Sequence, residues 1–233
     1  MSGKKSELAI CLVSGGMDSL TTAAIANEQY SQLAFLHLNY GQKTEKKELD
    51  CFHKIADHFK VPKHLRKVVD MGFLKEVGGS SLTDQKIAVT DYHGDSDEIP
   101  SSYVPFRNTH IVALAVSWAE ILKAKKIYIG AVEEDSSGYP DCRESYYKAY
   151  NLLIKEGTKD GDIEVMTPII HMSKEQVIKK ALELKAPLAL TWSCYAREDK
   201  ACGICDSCAL RLRGFEKAKI VDPIEYVTRP KYT

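Results

Sequence analysis

The stretch "VSGGMDSL" (13–20) decides how this chain is read. It lies between the apolar run "ELAICLV" (7–13), which has a strand's composition, and "SLTTAAIANEQY" (19–30), which suits a helix. A strand, a glycine-rich turn and a helix aim backbone N–H groups and the positive end of a helix dipole at one point, where an anion can sit. Gly15 and Gly16 let a ligand come close to the backbone, and Ser14 and Ser19 add hydroxyls. Asp18 would repel phosphate, so it reads as a magnesium ligand or as an acid at a helix N-terminus. The stretch is not a Walker loop, which needs G-x-x-x-x-G-K-[ST]; no lysine follows here. Alone, the glycine pair leaves two readings open, an ordinary strand–helix turn and a phosphate cradle.

Outward from this turn, strand and helix patterns alternate. Strands are expected at 7–13, 33–40, 64–71, 125–132 and 163–170, and helices at 19–30, 43–59, 108–124, 144–157 and 173–186. Leu49, Phe52, Ile55, Ala56 and Phe59 give the second helix one apolar face, and Ser173 with Gln176 makes a capping box for the last. Residues 72–105 have no clear period, a length of irregular chain that often serves a function such as a lid. Such alternation predicts an α/β fold, a doubly wound parallel sheet covered on both faces, with ligands at the carboxyl ends of the strands. Composition changes near residue 187, so we expect an α/β domain over 1–186 and a small module over 187–233 packed on it.

The 233 residues are 44% hydrophobic, enough for one α/β core. With 32 basic and 32 acidic residues the formal charge is zero, which counts against wrapping a nucleic acid. The start "MSGKKSELAI" has no long apolar h-region and no stretch approaches the ~20 residues of a membrane span, so a soluble, cytoplasmic protein is expected, with no membrane partner.

Four of the seven cysteines, Cys194, Cys202, Cys205 and Cys208, follow C-x7-C-x2-C-x2-C. Crowded cysteines in a cytosolic chain read as a metal site rather than a disulfide scaffold. Four thiolates suit tetrahedral zinc, and an iron–sulfur cluster can use the same short spacing. If zinc, the site has no open position and is structural, one ion per chain. Cys11 reads as core, Cys51 as incidental on a charged helix, and Cys142 as a free thiol or a nucleophile. The seven histidines are scattered singly and read as structural or surface residues; His110, just inside a helix, is the one that merits a closer look.

"SGGMDS" resembles the SGGxDS loop of the pyrophosphatase-loop ATPases, the adenine nucleotide alpha hydrolase-like fold. Further stretches, "YGQK" (40–43), "YVPFRNT" (103–109), "DSSGYPDCR" (135–143), "TPIIHMSK" (167–174) and "TWSCY…CGICDSCALRLRGF" (191–215), resemble the 7-cyano-7-deazaguanine synthases of queuosine biosynthesis over nearly the whole chain. Departures are small: Phe106 stands where many members have glycine, Ser136 where many have an aromatic, and Lys43 where arginine is commoner.

The resemblance implies an ATP-dependent C–N ligase that converts 7-carboxy-7-deazaguanine and ammonia to 7-cyano-7-deazaguanine through an adenylated acid and an adenylated amide. It implies ATP with Mg²⁺ as co-substrate, structural Zn²⁺, and a homodimer. Val13, Ser14, Gly15, Gly16, Met17, Asp18, Ser19 and Leu20 would hold the nucleotide, with Asp18, Ser19, Arg107 and Lys174 in catalytic roles. Arg107, Asn108, Ser137, Gly138, Tyr139, Asp141 and Arg143 would meet the deazaguanine: Asp141 on its donor edge, Tyr139 by stacking, Arg143 on its carboxylate, and Arg107 on the carboxylate or on a phosphate. Plainer readings stand beside these: a salt bridge for Arg107, a solvated Lys174, a surface turn at 135–143. Rival functions are a tRNA-thiolating or lysidine-type ATPase, a homologue that stops at an amide, and an RNA-binding zinc knuckle on an inert fold.

Overall fold

The structure is a computed structural model that describes residues 5–94, 99–133 and 139–233. Five strands, β1 (Lys5–Leu12), β2 (Tyr30–Asn39), β3 (Arg66–Asp70), β4 (Lys126–Tyr128) and β5 (Glu164–Met166), form one sheet in the order β3-β2-β1-β4-β5. Every pairing is parallel. β1 is central, and its residues Ala9 to Leu12 are all buried, the unbroken apolar run that a strand covered on two faces requires.

The helices are α1 (Met17–Gln29), α2 (Glu45–His58), α3 (Phe73–Val77), α4 (Arg107–Leu122), α5 (Glu144–Gly157), α6 (Lys174–Glu183) and α7 (Asp206–Lys217). Parallel strands joined by right-handed crossovers put α1 and α2 on one face and α4 and α5 on the other, because the chain moves outward from β1 first in one direction and then in the other. α1 packs on α6 and α6 on α7, while α4 packs on β1 and β4. The direction of winding therefore reverses between β1 and β4. In open sheets of this kind the crevice above the strand ends at such a reversal is where ligands bind.

The expected elements are present with shifted ends: β1 and β2 start earlier than expected, and β3, β4 and β5 are shorter. β4 stops at Tyr128 instead of 132, because Gly130 to Val132 turn aside to line a cavity. β5 stops at Met166, although Ile129 N still donates to Met166 O (3.1 Å) and Glu133 N to Ile170 O (2.8 Å). The capping box of α6 is complete: Gln176 N donates to Ser173 Oγ (3.3 Å) and Ser173 N to Gln176 Oε1 (2.8 Å).

The irregular segment 72–105 contains the short α3 and then crosses to the cysteine region. There Asp91 bridges to Cys205 and Tyr92 N donates to Ile204 O (2.8 Å). Cys11 is core, as its strand position implied. Cys51 is not incidental: it is 4% exposed and packs with Trp192, Cys194, Cys205 and Cys208. Its charged neighbours mask it in sequence, but its side chain faces inward. No helix among the described residues is long and apolar enough to cross a membrane.

Candidate active site

The glycine turn closes the C-terminal end of β1. The N-cap of α1 is Gly16, which has no side chain to cap the helix, and the first intrahelical bond is Leu20 N to Gly16 O (3.0 Å). The N–H groups of the first turn thus precede the helical ladder and face the crevice, an anion cradle. Ser14 Oγ accepts from Gly16 N (3.2 Å) and donates to Ser19 Oγ (3.2 Å), while Ser19 Oγ donates to Gly16 O (2.9 Å). Two glycines are required by space. Gly15 has φ +93°, and a Cβ there would meet Glu48 O at 2.7 Å; a Cβ on Gly130 would meet the Asp18 carbonyl carbon at 2.7 Å. The end of β4 is thereby pressed against the first turn of α1.

Above this junction lies a cavity of about 280 Å³. Beside the first turn of α1, Lys174, at the start of α6, donates to Asp18 Oδ2 (2.7 Å), and Asp18 Oδ1 is buried with no partner among the described residues. Arg107, the first residue of α4, also lines the cavity. Its Nη1 donates to the Tyr40 hydroxyl (3.1 Å), its Nε is buried with no partner, and it makes no ion pair with a carboxylate among the described residues. Burial pushes Tyr40 up to about 12 and raises Tyr139, Tyr147 and Tyr195, so the phenols around Arg107 stay neutral donors. Glu48 also lines the cavity. Thr44 Oγ1 donates to its Oε1 (2.7 Å) and Gln42 Nε2 to its Oε2 (3.1 Å), yet burial pushes its carboxyl up to about 7.

Phe106, the N-cap of α4, sits in the left-handed region at φ +58° and is exposed. That conformation accounts for the glycine usual at this place in the family the sequence resembles. The cap it cannot supply comes from a distant loop: Asp141 Oδ2 accepts from Asn108 N (3.1 Å), and Asn108 Nδ2 donates to Asp141 O (3.0 Å).

The sulfurs of Cys194, Cys202, Cys205 and Cys208 lie within 4.8 Å of one another. A tetrahedron of thiolates on zinc has S···S edges of roughly 3.8 Å, given a Zn–S bond of ~2.3 Å; Cys202 Sγ and Cys208 Sγ are 3.9 Å apart. Backbone N–H groups of Ala196, Cys202, Ile204 and Cys205 point at these sulfurs at 3.3–3.5 Å, which suits thiolate charge. The donor set fits a metal. Its loop is tied to the glycine turn by Trp192 N, which donates to Gly15 O (2.9 Å). It is tied to α2 by Glu198, whose Oε1 accepts from Lys46 N (3.1 Å) and Lys47 N (3.2 Å).

Residues 8–219 match the family model described as "Queuosine biosynthesis protein QueC". The chain belongs to the QueC family. Three similar relatives are each named 7-cyano-7-deazaguanine synthase. That of Chloroherpeton thalassium is 54% identical over 96% of this chain and 99% of its own. That of Chlorobaculum parvum is 53% identical over 96% and 98%, and that of Koribacter versatilis 52% over 95% and 94%. Among solved structures, an NH3-dependent NAD synthetase from Campylobacter jejuni is similar with a TM-score of 0.45, at 14% identity over 79% of this chain and 66% of that one.

In this QueC chain the cavity gathers Val13, Ser14, Gly16, Met17, Asp18 and Ser19 of the expected nucleotide residues. Gly15 lies beneath it, and Leu20 is wholly buried in the core. Lys174, Arg107, Asn108 and Tyr139 also line it. Asp141 is absent from the lining, 3% exposed, with Oδ1 buried and unpartnered among the described residues, and Arg143 is exposed outside it. Ser136, Ser137 and Gly138 lie outside the described residues. His110 packs edge-on to Phe73 and Phe106, away from the cavity. Cys142 lines the cavity, but burial pushes its thiol up to about 11, which disfavours a nucleophile. The sequence reading missed Tyr40, Glu48, Gly130 and Tyr147. Only Tyr40 carried a signal, in "YGQK".

Proposed function

We propose that the protein is a 7-cyano-7-deazaguanine synthase, an ATP-dependent C–N ligase acting on 7-carboxy-7-deazaguanine and ammonia. One observation carries the reading in this QueC chain: a single cavity at the β1/β4 reversal joins an uncapped helix N-terminus to a half-buried arginine with no carboxylate partner among the described residues. The first suits a triphosphate and the second a carboxylate.

The chemistry needs both. A carboxylate is a poor acceptor for ammonia because its leaving group would be oxide. Attack of a carboxylate oxygen on the α-phosphorus expels pyrophosphate and makes AMP the leaving group. Ammonia then displaces AMP to give the amide. Adenylation of the amide oxygen and loss of a second AMP give the nitrile. The first-turn N–H groups with Ser14 and Ser19 would hold the pyrophosphate, and Arg107 the carboxylate, so that catalysis is largely positioning and electrostatics. Magnesium, held through the unpartnered Oδ1 of Asp18 and phosphate oxygens, would neutralise charge on the leaving pyrophosphate. Asp141 Oδ1 would take the donor edge of the deazaguanine. We assign zinc to the four cysteines, in a structural role, and a homodimer in the cytoplasm on the family resemblance.

The test is incubation with ATP, Mg²⁺, ammonium and 7-carboxy-7-deazaguanine, read by mass spectrometry. The nitrile is expected. Amide alone would favour a homologue that stops at the first step, and neither product from metal-replete protein would overturn the reading. Elemental analysis should find about one zinc per chain, as four thiolates require; iron would reverse that assignment.

A further inference from the structure

We infer that Glu48 is the catalytic base of this cavity, the group that takes protons from nitrogen as the amide and then the nitrile form. The inference rests on the ligase reading above.

Both nitrogen steps release protons. When ammonia adds to the acyl adenylate, the new C–N bond leaves an –NH3⁺ on the adduct. One N–H proton must go before the C–O bond breaks and AMP departs with that electron pair. When the amide oxygen is adenylated, the resulting imidate carries two N–H protons. The first is lost to give the neutral imidate. The second leaves as its N–H pair becomes the third C–N bond and the C–O bond to AMP breaks. A base within the cavity is therefore used in each half of the reaction, and no oxidant or reductant is needed.

The cavity offers few candidates. Among the described residues that line it there is no histidine, and the carboxylates are Asp18 and Glu48. Asp18 is held by Lys174 on the phosphate side. Tyr40, Tyr139, Tyr147, Tyr195 and Cys142 are raised by burial, away from neutrality. Glu48 remains, and its carboxyl is fixed by the Thr44 hydroxyl and the Gln42 amide. Its backbone carbonyl abuts Gly15, so the base and the glycine turn are in direct contact. The charged and titratable groups that face it are Arg107 from α4, Tyr40 beyond β2, and Glu45 and Cys51 from its own helix. Burial pushes the carboxyl up to about 7, where a base at neutral pH works best.

Glu48→Gln keeps the size and polarity of the side chain and cannot accept a proton. In wild-type protein kcat should rise with pH through about 7, as the carboxyl ionises. Glu48→Gln should lower kcat for amide and nitrile by about 100-fold or more and abolish that limb. Carboxylate-dependent exchange of pyrophosphate into ATP, measured without ammonia, should persist within about threefold, because adenylation does not use this base. Glu48→Asp should recover part of the rate and keep the limb. Wild-type turnover in Glu48→Gln overturns the inference, and so does loss of exchange along with turnover, which would make Glu48 a structural residue. If wild-type protein forms no amide or nitrile, the ligase reading itself fails, a separate result.

Discussion

At the residue scale the site is an arrangement of groups left short of partners. Asp18 Oδ1, Asp141 Oδ1, Arg107 Nε and the Tyr147 hydroxyl are all buried without a hydrogen bond among the described residues, and Asp18, Arg107 and Tyr147 line one cavity. Unpaired buried polar atoms cost about 1–3 kcal/mol each, so a cluster of them marks a place where a ligand completes the set. Asp18→Asn retains the shape of the side chain and removes its charge. Turnover should fall by about 10²-fold or more while the circular dichroism spectrum is unchanged, since the loss is one of charge stabilisation on the phosphate. Turnover at the wild-type level would mean that this carboxylate does not serve the nucleotide. Glu48 also leaves a mark on stability. Folding favours its neutral form, and that contribution is present in full below an unfolded glutamate's value of about 4.3. It is lost as pH rises through about 7. Glu48→Gln should therefore melt above wild type at pH 8, with the gap closing at pH 5.

At the element scale the strand–helix alternation was legible, because short continuous apolar runs and amphipathic runs of period 3.6 are local facts. The glycine turn was legible because β1 and α1 flank it directly. What local pattern could not carry was closure between distant segments. Glu48 is one charge among several in "KTEKKELD", and only the pairing of β1 with β2 brings α2 against Gly15. Asp141 was legible as an acceptor but not as the cap of α4, which begins more than thirty residues earlier. The tail after α7 is another such closure. Arg211 on α7 is fully buried, and its Nε and Nη2 donate to Asp222 Oδ2 (2.6 Å) and Oδ1 (2.9 Å). Tyr226 donates to the same carboxylate at 2.7 Å. Asp222→Asn would leave a buried guanidinium without its counter-charge. A loss of about 3–5 kcal/mol is expected, a drop in Tm of roughly 6–20 °C for a domain of this size. A drop of under about 2 °C would show that water enters the pair.

At the scale of the whole molecule, the cavity wall is built from both ends of the chain. Trp192, Ser193 and Tyr195 stand beside Cys194, and Ser207 beside Cys208, and all four line the cavity with the residues of the glycine turn. Metal loss should therefore reach the cavity. Stripping the ion with a strong chelator should lower Tm by on the order of 10 °C or more, shift Trp192 fluorescence towards solvent, and remove ATP binding. A stripped protein that binds ATP as before would uncouple the two. The hydrogen bond from Trp192 N to Gly15 O has a consequence in time as well as in space. The glycine turn lies within the first twenty residues, but the strap that locks it is made much later. At synthesis rates of ~5–20 residues per second the two are separated by on the order of ten seconds or more. For that interval a nascent chain carries the glycine turn without its lock, so tight ligand binding at the turn is expected only after Trp192 has folded back onto it.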